Sequence, residues 1–342
     1  MRGRLGTGAL WVYLLLTAAC PGRARTSAEQ PTTDAAHAWL LSMPLSQARD
    51  LSGLTLHEGR LYIVQNRPDP GQDAQIFALE PDGDGAWKPV HRWSLRRGDE
   101  PWVDAEAVTP SGRGTMLVLV ESVGGDGVAS IWEVQLPTTD PAETVPAVVE
   151  RRWVLPTSYR ETLGAGAEAI ARVPTPDDIE GSQRSAGADG ARWVLVGHQA
   201  REQIGLFRLV DAEAETGSPI ASVRELTTDF GDTSGMFWTE GSLYLWHNEN
   251  TATPRCRRRG GEVNVLERYP WTADTTPTEL RGSPERWKHP QADDGPCPNL
   301  EGIALGPCRE GTRPLYIVDD DGPPAPGLRY EIDLGCSPPA PD

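Results

Sequence analysis

The chain is poor in cysteine and lacks the spacings by which cysteine holds zinc. Five Cys occur in 342 residues, with no CxxC pair and no Cys/His zinc pattern, which excludes the ordinary structural zinc sites. No long tract of Ala, Leu, Glu and Lys is present, so a helical bundle is excluded. No serine sits in a GxSxG elbow; Thr233-Ser234-Gly235 comes nearest, and it lacks the pattern of a serine hydrolase. Positive charge is in deficit, 32 Lys and Arg against 49 Asp and Glu, for a formal charge of −17. Such a surface repels nucleic acid and anionic membranes and collects divalent cations. The apolar run Ala9 to Leu16 is too short to cross a bilayer.

Gly, Pro and Trp are plentiful instead, at 36, 31 and 12 residues, a composition that favours β-structure. Residues 1–20 read as an export signal. Arg2 and Arg4 precede the apolar run, and Thr17-Ala18-Ala19 lead to Cys20. The end resembles a bacterial lipobox, with Leu16 one place too early, and makes Cys20 the expected lipid anchor. Residues 21–36 are a polar tether, expected to be unfolded, and 37–342 form one domain. These features place the protein in the bacterial cell envelope, on the periplasmic side or the outer surface. It is expected to be a monomer that touches membrane only through the N-terminal lipid.

One pattern recurs five times after the tether. A polar step enters a short apolar strand, a Gly-bearing turn follows, and a second apolar strand ends in polar residues. Asn299-Leu300-Glu301-Gly302-Ile303 leads to Leu315-Tyr316-Ile317-Val318, and Asp104-Ala105-Glu106-Ala107-Val108 leads to Leu117-Val118-Leu119-Val120. The other copies start at Asp50, Gly166 and Asp232. Third strands follow in all five, and fourth strands, such as Glu150 to Leu155, in four. The fifth copy runs out of chain after Leu334, while an unassigned strand, Ala38-Trp39-Leu40-Leu41, precedes the first. Four-stranded units at roughly 55–67-residue spacing are propeller blades. The prediction is an all-β, five-bladed β-propeller closed by the N-terminal strand pairing into the last blade, which also removes open strand edges. Six blades are the alternative, if one long repeat hides a degenerate blade.

Strand order sorts the loops by face. The starts of the inner strands and the ends of the second strands share one face, here called the top. Cys256 and Cys297 fall on the top, and Cys308 and Cys336 on the bottom, so the predicted disulfides are Cys256–Cys297 and Cys308–Cys336. The same sorting gathers acids at the top mouth. Asp104, Glu106, Glu121, Glu168, Glu301 and Asp319 are the candidate metal ligands. Glu is a poor turn former, so turn chemistry alone does not account for Glu106, Glu168 and Glu301. Crowded carboxylates repel unless a cation or a proton relieves them, and oxygen donors suit Ca²⁺ or Mg²⁺ rather than zinc. On the same face, Arg255, Arg257 and Arg258, with Asn66 and Asn248, are candidate holders of an anionic ligand. His198 and His247 occupy matched positions and are candidate general bases; hydrogen-bonding rim residues are the competing role. Trp39, Trp93, Trp153 and Trp287 recur in outer strands and are expected to pack between blades.

The D/N-x-E-G/A-hydrophobic step with its Leu-Tyr-Ile-Val strand resembles the phytase-like and SdiA-regulated exported β-propellers. Asp104 to Val108 and Asn299 to Ile303 carry the resemblance best; Gly166 and Ser234 depart from it. The resemblance implies Ca²⁺ binding and, in some members, phosphoester or esterase-like activity. Three functions follow as expectations. The first is a metal-assisted hydrolase of, or binder for, a small phosphorylated or ester ligand. The second is a non-catalytic surface propeller that engages a ligand or an envelope protein. The third is a glycosidase using paired carboxylates.

Overall fold

The structure, a computed structural model, describes residues 38–39, 51–65, 73–82, 87–96, 102–138, 140, 143–160, 166–174, 192–199, 201–213, 216–248, 264–271, 279–283, 285–288, 300–319 and 328–336. Side chains are described for all of these except 38–39, 264, 288, 319 and 328–333. Residues 1–37, with Cys20, and the positions Asn66, Arg255, Cys256, Arg257, Arg258 and Cys297 lie outside the described residues.

The chain begins its fold with β1 (Ala38–Trp39). Blade 1 is β2 (Leu51–His57), β3 (Arg60–Gln65), β4 (Ala74–Pro81) and β5 (Trp87–Leu95). Blade 2 is β6 (Val103–Gly112), β7 (Thr115–Val123), β8 (Ser130–Gln135) and β10 (Val148–Val154), with β9 (Thr144–Pro146) between the last two. Blade 3 is β11 (Ala167–Val173), β12 (Arg192–His198), β13 (Gln203–Leu209) and β15 (Ser222–Thr227), with β14 (Ser218–Pro219) in the same place. Blade 4 is β16 (Thr233–Thr239), β17 (Ser242–Asn248), β18 (Asn264–Pro270) and β19 (Glu285–Lys288). Blade 5 is β20 (Leu300–Leu305), β21 (Thr312–Asp319) and β22 (Leu328–Gly335). One 3-10 turn, Thr157–Tyr159, is the only helical element among the described residues.

This is a five-bladed β-propeller. The inner strands form a closed cycle: β2 contacts β6 and β20, β11 contacts β6 and β16, and β16 contacts β20. The missing strand of blade 5 comes from the other end of the chain. β1 pairs antiparallel with β22, Ala38 opposite Tyr330 and Trp39 opposite Arg329.

Local chemistry explains the elements. The first hairpins of blades 1, 4 and 5 turn on Glu58-Gly59, Glu240-Gly241 and Glu310-Gly311, and all six residues have positive φ. That is the two-residue turn whose twist matches antiparallel strands. Second strands such as Leu117-Val118-Leu119-Val120 are buried on both faces, because each blade is sandwiched between two others. The core therefore lies between blades. One apolar cluster joins blades 1 and 2 around Trp93, Val118 and Trp132, and another joins blades 2 and 3 around Trp153, Ile170 and Phe207. A third fills the space between blades 3 and 4, and a fourth seats blades 4, 5 and 1 together. Trp93 and Trp153 thus pack between blades, as expected; Trp287 packs partly buried against the last cluster.

The structure adds a feature the repeat does not announce. In blades 2, 3 and 4 the connection between third and fourth strands lies over the outer strand of the preceding blade. In blade 2 it forms β9, parallel to β5 of blade 1, and Ala147 N–H donates to Ser94 O at 2.9 Å. In blade 3 it forms β14, parallel to β10 of blade 2, and Ile220 N–H donates to Val154 O at 3.0 Å. In blade 4 it makes a single parallel bridge, Leu280 to Thr228 of blade 3. The outer-strand tryptophans fasten two of these straps. Trp93 Nε1–H donates to Pro137 O at 2.9 Å, and Trp153 Nε1–H to Val210 O at 2.7 Å. Outer edges that would otherwise offer free pairing groups are thereby covered.

Cys308 and Cys336 are joined, with Cα atoms 5.9 Å apart and a sequence separation of 28. The bond ties the turn after β20 to the end of β22, where Cys336 N–H also donates to Gly311 O. Closing a loop of this size restricts the unfolded chain, and replacing both cysteines by serine is expected to cost about 3 kcal/mol. A urea midpoint for the double variant equal to that of the parent would show that the closing blade does not need the tie.

Candidate functional site

Every inner strand breaks register at the same height. The break falls between Leu51 and Leu54 in blade 1, Ala105 and Ala107 in blade 2, and Ala167 and Ala169 in blade 3. It falls between Thr233 and Gly235 in blade 4, and Leu300 and Ile303 in blade 5. A bulge leaves a residue outside the ladder and re-aims its side chain. The polar residues so displaced are Ser52, Glu106, Glu168, Ser234 and Glu301, one from each blade, and all five are buried. Ser52 Oγ stands 2.8 Å from Glu106 Oε2 and also touches Glu301 Oε2. A hydroxyl has one proton to donate, so one of these two carboxyls supplies the second hydrogen.

Small residues follow because the axis is narrow. A Cβ on Gly53 would strike the backbone of Ala107, and one on Gly302 would strike Ser52 O and Leu54 N. The Gly or Ala after each displaced residue thus lets the five inner strands meet.

Three more acids join the ring. Asp104 and Asp232 each stand two residues before a displaced position, and both are buried. Asp232 has φ 56°, in the left-handed region that Asp tolerates better than most residues. Glu121 is skipped in β7, where Val120 pairs Ala105 and Ser122 pairs Asp104. In blade 3 the position matching Asp104 and Asp232 is Gly166. A Cβ there would coincide with the Glu121 carboxylate. The glycine that breaks the acidic motif makes room for an acid from the preceding blade.

The result is six buried carboxyls. Ligand oxygens of Asp104, Glu106 and Glu121 all lie within 4.8 Å of one another. Burial raises Glu106 well above the ordinary carboxylate range, and Glu168, Asp104, Glu121 and Glu301 push it further. Burial also raises Glu168, aided by Glu121, Asp232 and Asp104, while a hydrogen bond from Glu106 works the other way. Both shifts favour the protonated, uncharged form of these carboxyls.

The histidines sit in other company. His247 is wholly buried, with Nδ1 3.3 Å from Thr233 Oγ1 and Nε2 3.2 Å from Glu267 Oε2. Glu267 also accepts from Tyr269 Oη–H at 2.7 Å and from Arg286. Burial alone would raise Glu267, but the bonds from His247, Tyr269 and Arg286 outweigh it and hold the carboxyl low. His198 is buried beside the Tyr159 ring, 6.0 Å between centroids. Burial, then the Arg201 charge, lowers it to about 4, so it is neutral near pH 7. Asn248 is buried, and its backbone N–H donates to Asp232 O at 2.9 Å. Asp319 pairs with Leu300 through the backbone, and its side chain is outside the description.

No protein-family model matches the chain, and no curated protein matches it in sequence. Solved structures with a similar fold include RS223 β-xylosidase, at 11% identity and TM-score 0.45, covering 85% of this chain and 93% of that one. They include the GH43_1 enzyme from Xanthomonas citri complexed with xylose, at 14% identity and TM-score 0.42, covering 84% and 87%. Another is the phage phi92 endosialidase, at 10% identity and TM-score 0.43, covering 82% of this chain and 52% of that one. At such distances no chemistry passes from those proteins to this chain. The phytase-like resemblance rests on the short motifs alone.

Proposed function

We propose that the top of the propeller axis holds a divalent cation, Ca²⁺ by its chemistry, and that the protein uses it to bind a small anionic ligand. The carrying observation is the convergence of Asp104, Glu106 and Glu121. Ca²⁺ takes oxygen ligands at about 2.3–2.6 Å, so donors across one ion stand about 5 Å apart. Three oxygens within 4.8 Å of one another fit that sphere. Glu168, Asp232 and Glu301 complete the negative surroundings. Gly166 fits as well, since its bare backbone gives Glu121 its place. A bound cation supplies a Lewis-acidic point for a phosphate, ester or carboxylate oxygen, and the residues of this chain hold it, orient it and exclude water around it.

Hydrolysis of a phosphoester or ester by this site is part of the proposal only as a reaction class. His247 is locked by Thr233 and Glu267, so His198 is the better candidate base. A glycosidase pair stands roughly 5–10 Å apart across a groove, and the convergence of Asp104, Glu106 and Glu121 within 4.8 Å favours a shared cation over such a pair. Export, with Cys20 as lipid anchor, would place the mouth outside the cytoplasm, where Ca²⁺ is plentiful.

Calorimetric titration of chelator-treated protein with Ca²⁺, with Mg²⁺ as the second arm, tests the reading. Saturable one-site heat is expected, together with a rise in thermal midpoint. At a hundredfold excess over Kd the added stability is about 2.7 kcal/mol. Glu106→Gln is expected to abolish both responses. Neither heat nor a midpoint shift with either metal would sink the cation site. A chromogen panel of phosphoesters, esters and glycosides then decides whether binding is followed by chemistry.

A further inference from the structure

The opposite mouth of the axis holds a cavity of about 380 Å³, in the size range of small-ligand sites. The acids stand near the starts of the inner strands, and this cavity is enclosed by their far ends. Its walls include Leu56 and His57 of blade 1, Pro110 of blade 2, Arg172 of blade 3, and Phe237 and Trp238 of blade 4.

Two polar groups here have unused capacity. Arg172 donates Nη1–H to Ser111 O at 3.1 Å, and its backbone N–H donates to Thr109 Oγ1. Among the described residues its guanidinium has no carboxylate partner, in a chain where acids outnumber bases 49 to 32. His57 Nε2 is buried with no hydrogen-bond partner among the described residues. The nearest acid, Glu58, is 4.0 Å away, beyond hydrogen-bond reach. Buried polar groups are nearly always paired, so an unmet His57 Nε2 beside a half-buried guanidinium with one backbone acceptor and fork hydrogens to spare, among apolar and aromatic neighbours, describes a complementary guest. It carries an anionic oxygen pair for the guanidinium fork. It offers a group to pair with the imidazole, and it has an apolar ring to lie against Phe237 and Trp238.

We infer that this cavity binds a small organic carboxylate bearing an apolar or aromatic ring, held by Arg172 and His57. The site is separate from the axial acids and does not need their cation. Benzoate is the probe, titrated calorimetrically into the full-length protein, with benzyl alcohol as the uncharged arm. The expected result is saturable benzoate binding of the same affinity with Ca²⁺ or with chelator. Arg172→Gln weakens it about tenfold, a loss of about 1.4 kcal/mol. His57→Ala, which leaves the guanidinium intact, weakens it as well. A thermal midpoint is recorded for each variant, so that loss of fold is told from loss of binding. Absence of saturable benzoate binding up to about 10 mM, a weak limit even for so small a ligand, overturns the proposal. So does equal binding of benzyl alcohol, or full affinity in Arg172→Gln. Benzoate binding only in the presence of Ca²⁺ would also overturn it, because the carboxylate would then be held by a cation at the other mouth.

Discussion

Gly302→Ala is expected to destabilise the propeller by about 3 kcal/mol, the upper part of the range for overpacked cores. The added methyl would meet three backbone atoms of the neighbouring blade, Ser52 O, Leu54 N and Gly53 C, the last at 2.7 Å. None is the end of a flexible side chain. Leu54 is held in turn by its pairing to Ile63, so relief requires moving a whole inner strand. The control lies in the same blade. A Cβ on Gly335 meets nothing within 4 Å, and Gly335→Ala is expected to stay within about 0.5 kcal/mol of the parent. Urea midpoints of the two variants make the comparison. Equal midpoints would mean that blades 5 and 1 do not meet along their inner strands.

The second large effect concerns pH. Metal-free protein is expected to lose stability as pH rises from about 5 to 8. Glu106 and Glu168 are both held well above the ordinary carboxylate range. The unfolded chain releases those protons near pH 4.3, roughly the unperturbed Glu value, while the folded chain keeps them. The native state therefore binds more protons in that window, and stability falls with rising pH up to the folded pKa. Glu133 and Glu267 act oppositely. Burial would raise both, but hydrogen bonds from Arg192, Ser111 and Arg151, and from His247, Tyr269 and Arg286, hold them low. Their contribution is present above the unfolded pKa and is lost as pH falls through the folded one. Glu106→Gln should flatten the upper slope and raise the metal-free midpoint at pH 8 by roughly 1–2 °C, equivalent to about 1 kcal/mol in a chain of this size. Saturating Ca²⁺ should flatten the same slope in the parent. Thermal melts across the range decide it: a slope that persists in Glu106→Gln would place its origin outside the acid ring.

Much of this could be read before any coordinates. Strands such as Leu61-Tyr62-Ile63-Val64 and the Gly of each hairpin turn carry their structure locally, and the displaced strand at Ala38 announced ring closure. The bottom disulfide followed from strand order alone. The bulges were not legible, because D-x-E-G reads as the start of an ordinary strand, and the extra residue appears only against its partner's register. Hence Ser52 and Asp232 were not among the expected ligands, and Gly166 read only as a departure from the motif. The column shared by His198 and His247 fixed their height but not their partners. Each lies against an aromatic ring, Tyr159 for His198 and Phe230 for His247, and His247 also meets Glu267, whose place on a third strand no short motif records. The straps Thr144–Pro146 and Ser218–Pro219 were silent because two or three residues rich in Ser, Thr and Pro carry no strand signal.

Those overlapping straps bear on how such a ring is taken apart or built. Excising one blade as a cassette at its sheet boundaries would strip the cover from the preceding outer strand and strand its tryptophan N–H. A workable unit of exchange is offset by about one strand, running from one strap to the next. The chain's own ends obey a similar offset, parting after a third strand rather than a fourth. Shuffled or permuted variants cut on that frame should keep their seams closed, whereas those cut between complete sheets should stick to one another.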